Sequence, residues 1–87
     1  MRRRVVVHGF VQGVFFRDTT RRLALEHGVS GWVRNTWEGT VEAVFEGRPE
    51  AVERLVEFVH RGPSGAHVER VQVFEETDEG LVGFSIR

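Results

Sequence analysis

The stretch Gly9-Phe10-Val11-Gln12-Gly13-Val14-Phe15-Phe16-Arg17 brings together residue types that can hold an anion. It runs from the end of a strand-like segment into the start of a helical pattern. The first amides of a helix have no intrahelical acceptor, and they sit at the positive end of the helix dipole. Gly9 and Gly13 allow the backbone to bend so that several N–H groups converge on one group. A dianionic phosphate fits such a concavity without any basic side chain. Arg17 adds an always-charged fork able to grip two phosphate oxygens at once. Its charge opposes the dipole of its own helix, so its position makes most sense when an anion is expected there. On spacing alone, two such glycines also serve as ordinary turn residues between a strand and a helix.

Asn35 is the second candidate. It ends the segment Gly31-Trp32-Val33-Arg34-Asn35, and it is the only asparagine in the chain. Asparagine is frequent at strand corners as a turn former. Its carboxamide also donates and accepts together, which suits holding a water against a reacting group.

These residues need elements to place them. Arg4 to Phe10, with three consecutive valines, predicts a strand buried on part of both faces. Phe16, Thr20, Leu23 and Ala24 recur at helical spacing, with Arg17, Arg21, Arg22 and Glu26 on the other sides and Gly28 as the C-terminal stop. Val29 to Asn35 predicts a second strand, ended by the turn Thr36-Trp37-Glu38-Gly39. Thr40 to Glu46 alternates, with Val41, Ala43 and Phe45 inward and Thr40, Glu42 and Glu46 toward water. Pro49 suits the first turn of a second helix with the stripe Ala51, Val52, Leu55, Val56 and Val59, halted at Gly62-Pro63. Val68 to Glu75 and Leu81 to Ile86 predict two further strands. The order is βαββαβ with a short extra edge strand. That is an α+β, ferredoxin-like split βαβ sandwich, an antiparallel sheet with both helices on one face. The fold hosts enzymes, RNA binders and metal carriers, so it assigns no function.

The 87 residues suffice for one domain, 1–87, with one core. With no cysteine, disulfides, thiolate nucleophiles and cysteine-bound zinc are excluded. His8, His27, His60 and His67 are too scattered to suggest a metal site. Twelve arginines face thirteen acidic residues for a formal charge of −1, which makes no case for nucleic acid or anionic membrane partners. No stretch approaches the ~20 apolar residues of a membrane span, and the apolar run after Arg4 is too short for a signal peptide. A cytoplasmic monomer is the default expectation. The Arg2-Arg3-Arg4 run reads as a solvated terminus. Trp32, Trp37, Phe15, Phe16, Phe45, Phe58 and Phe84 read as core or edge packing.

At the two candidate segments the chain resembles the acylphosphatase family. Val7-His8 with Gly9 to Arg17 matches the family's first signature. Gly31 to Asn35, then Gly39-Thr40-Val41 and Gly47, match its second. The Gly62-Pro63 segment with Ala66 and Val68, and the ending Gly83-Phe84-Ser85-Ile86-Arg87, extend the likeness over essentially the whole chain. The resemblance implies a hydrolase of acyl phosphates, small molecules with a mixed carboxylic–phosphoric anhydride. It implies no metal, no cofactor and no covalent phospho-enzyme. It makes Arg17 the phosphate-binding arginine, Asn35 the residue orienting the attacking water, and the backbone of Gly9 to Phe16 the phosphate-cradling loop. Two alternatives remain from other classes. One is an RNA-binding module, weakly echoed by the glycines and aromatics of Gly9 to Phe16 and opposed by Glu42 and Glu46 on the open face. The other is an accessory ferredoxin-like domain without catalysis. Nothing in the motifs selects the acyl group.

Overall fold

The computed structural model describes all 87 residues, Met1–Arg87. In chain order the elements are β1 (Arg2–Phe10), α1 (Phe16–Glu26), β2 (Ser30–Asn35), β3 (Val41–Glu46), α2 (Pro49–Arg61), β4 (His67–Glu76) and β5 (Phe84–Ile86). They form one five-stranded sheet of order β4-β1-β3-β2-β5, with both helices packed on one face. The arrangement is the expected ferredoxin-like α+β sandwich.

Local sequence explains most of the boundaries. Phe16, Thr20 and Ala24 bury one stripe of α1, and Gly28 follows with φ 67, a backbone that side chains disfavour. α2 opens on Pro49 and buries Val52, Leu55, Phe58 and Val59. Gly62 ends it at φ 74, where a Cβ would crowd the Phe16 ring. Between sheet and helices, Val5, Val7, Val33, Val41, Ala43 and Phe45 meet Phe16, Ala24, Leu55 and Phe58 in one core.

The sheet is mixed, whereas the sequence pattern suggests a purely antiparallel one. β1 pairs antiparallel with β3 and β4, and β2 with β3, but β5 runs parallel to β2. The cause is where the chain leaves β4. Glu76 lies beside Arg2 at the end of the sheet where β2 begins, and the segment to β5 crosses that end. The Glu46 carboxylate receives the backbone N–H of Glu79 and of Leu81, each at 2.8 Å, and so pins the crossing. A strand entering beside the start of β2 can only run parallel to it.

The open face also departs from the alternating pattern. Glu46 is 6% exposed and Arg2 7%, so neither is the solvated residue that the sequence suggests. Arg2 reaches Glu76 at 2.8 Å and Glu46 at 3.2 Å, while Arg4 reaches Glu76 at 2.9 Å and Glu42 at 3.3 Å. Arg34 closes on the other Glu42 oxygen at 2.7 Å. Strand register brings these charges together, since Arg2 faces Glu46 on one side and Glu76 on the other. The Glu79 amide, with Leu81 and Arg2, holds the Glu46 carboxyl below its ordinary range despite burial. Hydrogen bonds from Arg2 and then Arg4 do the same for Glu76. Burial works against the Arg2 charge, but its carboxylate partners outweigh that and raise its pKa.

Candidate active site

One end of the sheet gathers the residues singled out by sequence. The C-terminal end of β1, the start of β3 and the end of β2 meet there, with Val7 opposite Val41 and Val41 opposite Asn35. The loop from Val11 to Phe15 leaves β1 at this end and turns into α1.

Gly9 and Phe10 belong to β1 itself, and the pairing with β4 slips between His8 and Gly9. A Cβ on Gly9 would run into the His67 carbonyl oxygen, so close approach of β4 already requires a glycine there. Val11 is buried, and Gly13 turns the chain at φ 77. Phe15, the residue before the helix, has φ 61 and ψ 26. It is the only non-glycine residue with positive φ. Such a backbone costs a side-chain-bearing residue about 1 kcal/mol or more.

The helix start is open. No side chain caps α1, and its first ladder bond runs from the Thr19 N–H to the Phe15 carbonyl at 3.1 Å. The amides of Phe16, Arg17 and Asp18 therefore stand without helical acceptors. They border a recess of about 240 Å³ lined by Val11, Gly13, Phe15, Phe16, Arg17, Asp18 and Asn35. Arg17 is exposed and takes part in none of the molecule's ion pairs, and Asp18 pairs with nothing either. Asn35 Oδ1 is buried and accepts no hydrogen bond. An orphaned acceptor of this kind costs about 1–3 kcal/mol, so its position calls for a donor from outside the protein.

Three anchors hold the loop. Val11 and Phe16 are both sunk in the core, and the Phe16 ring meets Phe58 of α2 at 5.8 Å between centroids. The third anchor is a side chain that the sequence motif offers only as loop backbone. Gln12 Nε2 donates to the Thr36 carbonyl at 2.9 Å and to the Thr40 carbonyl at 3.0 Å. It thereby ties the loop to the β2–β3 turn that follows Asn35. That turn is closed further by the Thr36 N–H on the Thr40 carbonyl at 2.9 Å and by the two threonine hydroxyls at 2.6 Å. Gln12's one advance signal is being a lone amide side chain among apolar loop residues.

Not every expected residue reaches the recess. Arg17, Asn35, Val11, Gly13, Phe15 and Phe16 line it, whereas Gly9, Phe10, Gln12 and Val14 do not. Val14 packs against the core, and His8 lies on the sheet's open face with Nε2 2.9 Å from Gln72 Oε1. Phe15 is 78% exposed and Trp37 entirely so; neither is the packing residue that aromatic composition suggests. Phe15 sits on a left-handed backbone just before α1, and Trp37 in the turn between β2 and β3. Nowhere do three or more His, Asp or Glu side chains converge as metal ligands would.

Known proteins resemble the chain over nearly its whole length. A family model described as acylphosphatase matches residues 3–86. An acylphosphatase of Rubrobacter xylanophilus is 58% identical over 85 residues, covering 97% of this chain and 77% of the relative. The crystal structure of acylphosphatase from Bacillus subtilis superposes with a TM-score of 0.93 at 36% identity, over 99% of this chain and 97% of that one. Full-length HypF, solved in a phosphate- and nucleotide-bound form, contains a matching region at 26% identity and a TM-score of 0.91, which is 11% of its chain. With a family match over nearly its whole length and relatives this similar, the chain belongs to the acylphosphatase family and is a hydrolase of acyl phosphates.

Proposed function

We propose that Arg17 and the amides at the start of α1 hold the phosphate of an acyl phosphate while Asn35 orients the water that attacks it. The observation that carries this reading is the buried, unpartnered Oδ1 of Asn35 in the same recess as an uncapped helix start and an unpaired arginine. Each is unfavourable alone, and one bound phosphate with its water answers all three.

The amides of Gly13 and of Phe15 to Asp18 and the Arg17 fork donate to the phosphate oxygens and stabilise the charge that spreads over them in the transition state. A water donates one hydrogen to Asn35 Oδ1, which aims its lone pair at phosphorus opposite the acyl oxygen. The new O–P bond forms as the P–O bond to the acyl group breaks, and the carboxylate departs with the bonding pair. Its conjugate acid has a pKa of about 4, so it leaves without a general acid. The water's second proton passes to a phosphate oxygen. The chemistry asks for placement and charge stabilisation, which the cradle, Gln12 and Asn35 provide without a metal. In this reading the protein works as a cytoplasmic monomer on a small molecule, with neither nucleic acid nor membrane as partner; no helix is long and apolar enough to cross a membrane.

An RNA-binding role is disfavoured by the open sheet face. The rings on which bases would stack already have arginines over them, Phe74 with Arg4 at 4.3 Å and Trp32 with Arg87 at 4.8 Å and Arg34 at 5.9 Å.

The test is hydrolysis of benzoyl phosphate in EDTA by wild type, Arg17→Ala and Asn35→Ala. Losing a phosphate-clamping arginine costs about 10³–10⁵ in rate, and losing one preorganised polar group about 10²–10³. Arg17→Ala is expected to raise KM and lower kcat, and Asn35→Ala to lower kcat chiefly. A kcat within about threefold of wild type for Asn35→Ala would remove it from the water-positioning role.

A further inference from the structure

The phosphate end of the substrate is accounted for, but the acyl end is not. Phe15 combines two unfavourable features at the wall of the recess. Its backbone occupies a region that glycine would enter freely, and its ring is 78% exposed to water. The turn into α1 needs only the backbone, so the turn explains neither the size nor the apolarity of the side chain. Exposed aromatics are also concentrated here. Phe10, at the end of β1, and Trp37, in the β2–β3 turn, stand at the same end of the sheet, and both are largely or wholly exposed. Phe15 alone of the three lines the recess together with Arg17 and Asn35.

We infer that Phe15 is a specificity-determining residue whose ring packs against the acyl group, so that the enzyme prefers acyl phosphates with an aromatic or bulky apolar acyl part over acetyl phosphate. The inference rests on the placement of the phosphate proposed above. With phosphate at the helix start and water at Asn35, the acyl group projects toward solvent, and Phe15 is the one apolar lining residue that is exposed there, since Val11 and Phe16 are buried. Contact between two aromatic faces and the water they exclude is worth about a tenfold preference. Asp18, which also lines the recess, works in the same direction, since its carboxylate repels acyl groups that carry a further negative charge.

Binding and turnover together test this. Phenacylphosphonate and acetonylphosphonate, in which CH2 replaces the bridging oxygen of benzoyl and acetyl phosphate, would be titrated calorimetrically into wild type, Phe15→Ala, Phe15→Gly, Phe15→Tyr and Trp37→Ala. kcat/KM for the two acyl phosphates would be measured on the same proteins. Wild type and Phe15→Tyr are expected to favour the aromatic member about tenfold in both measurements. In Phe15→Ala and in the unstrained Phe15→Gly that ratio should fall to about one. A wild-type ratio near one, a ratio unchanged in both truncations, no binding of either phosphonate, or a collapse caused by Trp37→Ala alone would each overturn the assignment. Failure of the underlying reading looks different: in Arg17→Ala both phosphonates would bind as tightly as to wild type, with the Phe15-dependent ratio intact.

Discussion

Replacing Gln12 by alanine should slow turnover far more than it weakens binding. The side chain donates from Nε2 to two carbonyls, those of Thr36 and Thr40, on the turn that follows Asn35. Each hydrogen bond contributes about 1 kcal/mol net. Neither carbonyl is orphaned by the change, because Thr36 O also receives the Gly39 N–H at 3.2 Å and Thr40 O the Thr36 N–H at 2.9 Å. The stability loss is therefore about 1–2 kcal/mol, and the variant should fold. The loop into α1 has its own anchors in Val11 and Phe16, so on the proposed placement the affinity for phosphate should change by no more than about threefold. What loosens is the distance between cradle and Asn35, and a misplacement of about 1 Å at a reacting centre costs about 10² in rate. We expect kcat on benzoyl phosphate to fall about 10–100-fold with KM nearly constant, measured well below the melting temperature set by circular dichroism. If Gln12→Ala lost the expected stability but kept kcat within about threefold, the clamp would be purely structural and the reasoning wrong.

Three other outcomes follow from the same structure. Glu46→Gln should cost about 2–3 kcal/mol at pH 7, since Arg2 and the Glu79 and Leu81 amides lose their charged acceptor. The Glu46 pKa is depressed on folding, so its contribution is present above the unfolded carboxyl value of about 4.3 and is lost as pH falls below it. Urea midpoints of wild type and variant should therefore draw together as pH falls from the unfolded value through the lower folded one; a constant gap would contradict the charge argument. Gly9→Ala should unfold or severely destabilise the protein, because the new methyl group meets the His67 carbonyl and φ is 132; a melting temperature within a few degrees of wild type would show that β4 yields there. Arg17→Lys keeps the charge but loses the two-pronged grip, and should raise KM for acyl phosphate about tenfold or more; an unchanged KM would mean that charge alone suffices.

The helices and the juxtaposition of Arg17 with Asn35 were the legible parts of this chain. Phe16, Thr20 and Ala24 lie at helical spacing and are the residues α1 buries, and Gly28 and Gly62 end helices with positive φ where side chains are disfavoured. Arg17 and Asn35 stand out by type and position, and the structure brings them to one recess. What local pattern hides is whatever depends on register between distant strands. Arg2, Glu46 and Glu76 look like ordinary surface charges, because nothing near them in sequence reveals that pairing sets them face to face. The parallel course of β5 depends on where the chain crosses the sheet end, which a Glu46 side chain 33 residues away from Glu79 decides. Gln12 reaches a turn 24 residues further on. Phe15 misleads for a different reason: an aromatic residue suggests burial, yet here it sits on a left-handed backbone with its ring exposed.

The central claim is that water aligned by Asn35 attacks phosphorus, and isotope tracing tests it most directly. Benzoyl phosphate would be hydrolysed by the enzyme in water enriched in oxygen-18, and the products weighed by mass spectrometry. Attack at phosphorus predicts one labelled oxygen in inorganic phosphate and none in benzoate. Label in benzoate would place the attack at the acyl carbon, and the proposed roles of Arg17, Asn35 and the cradle would not stand.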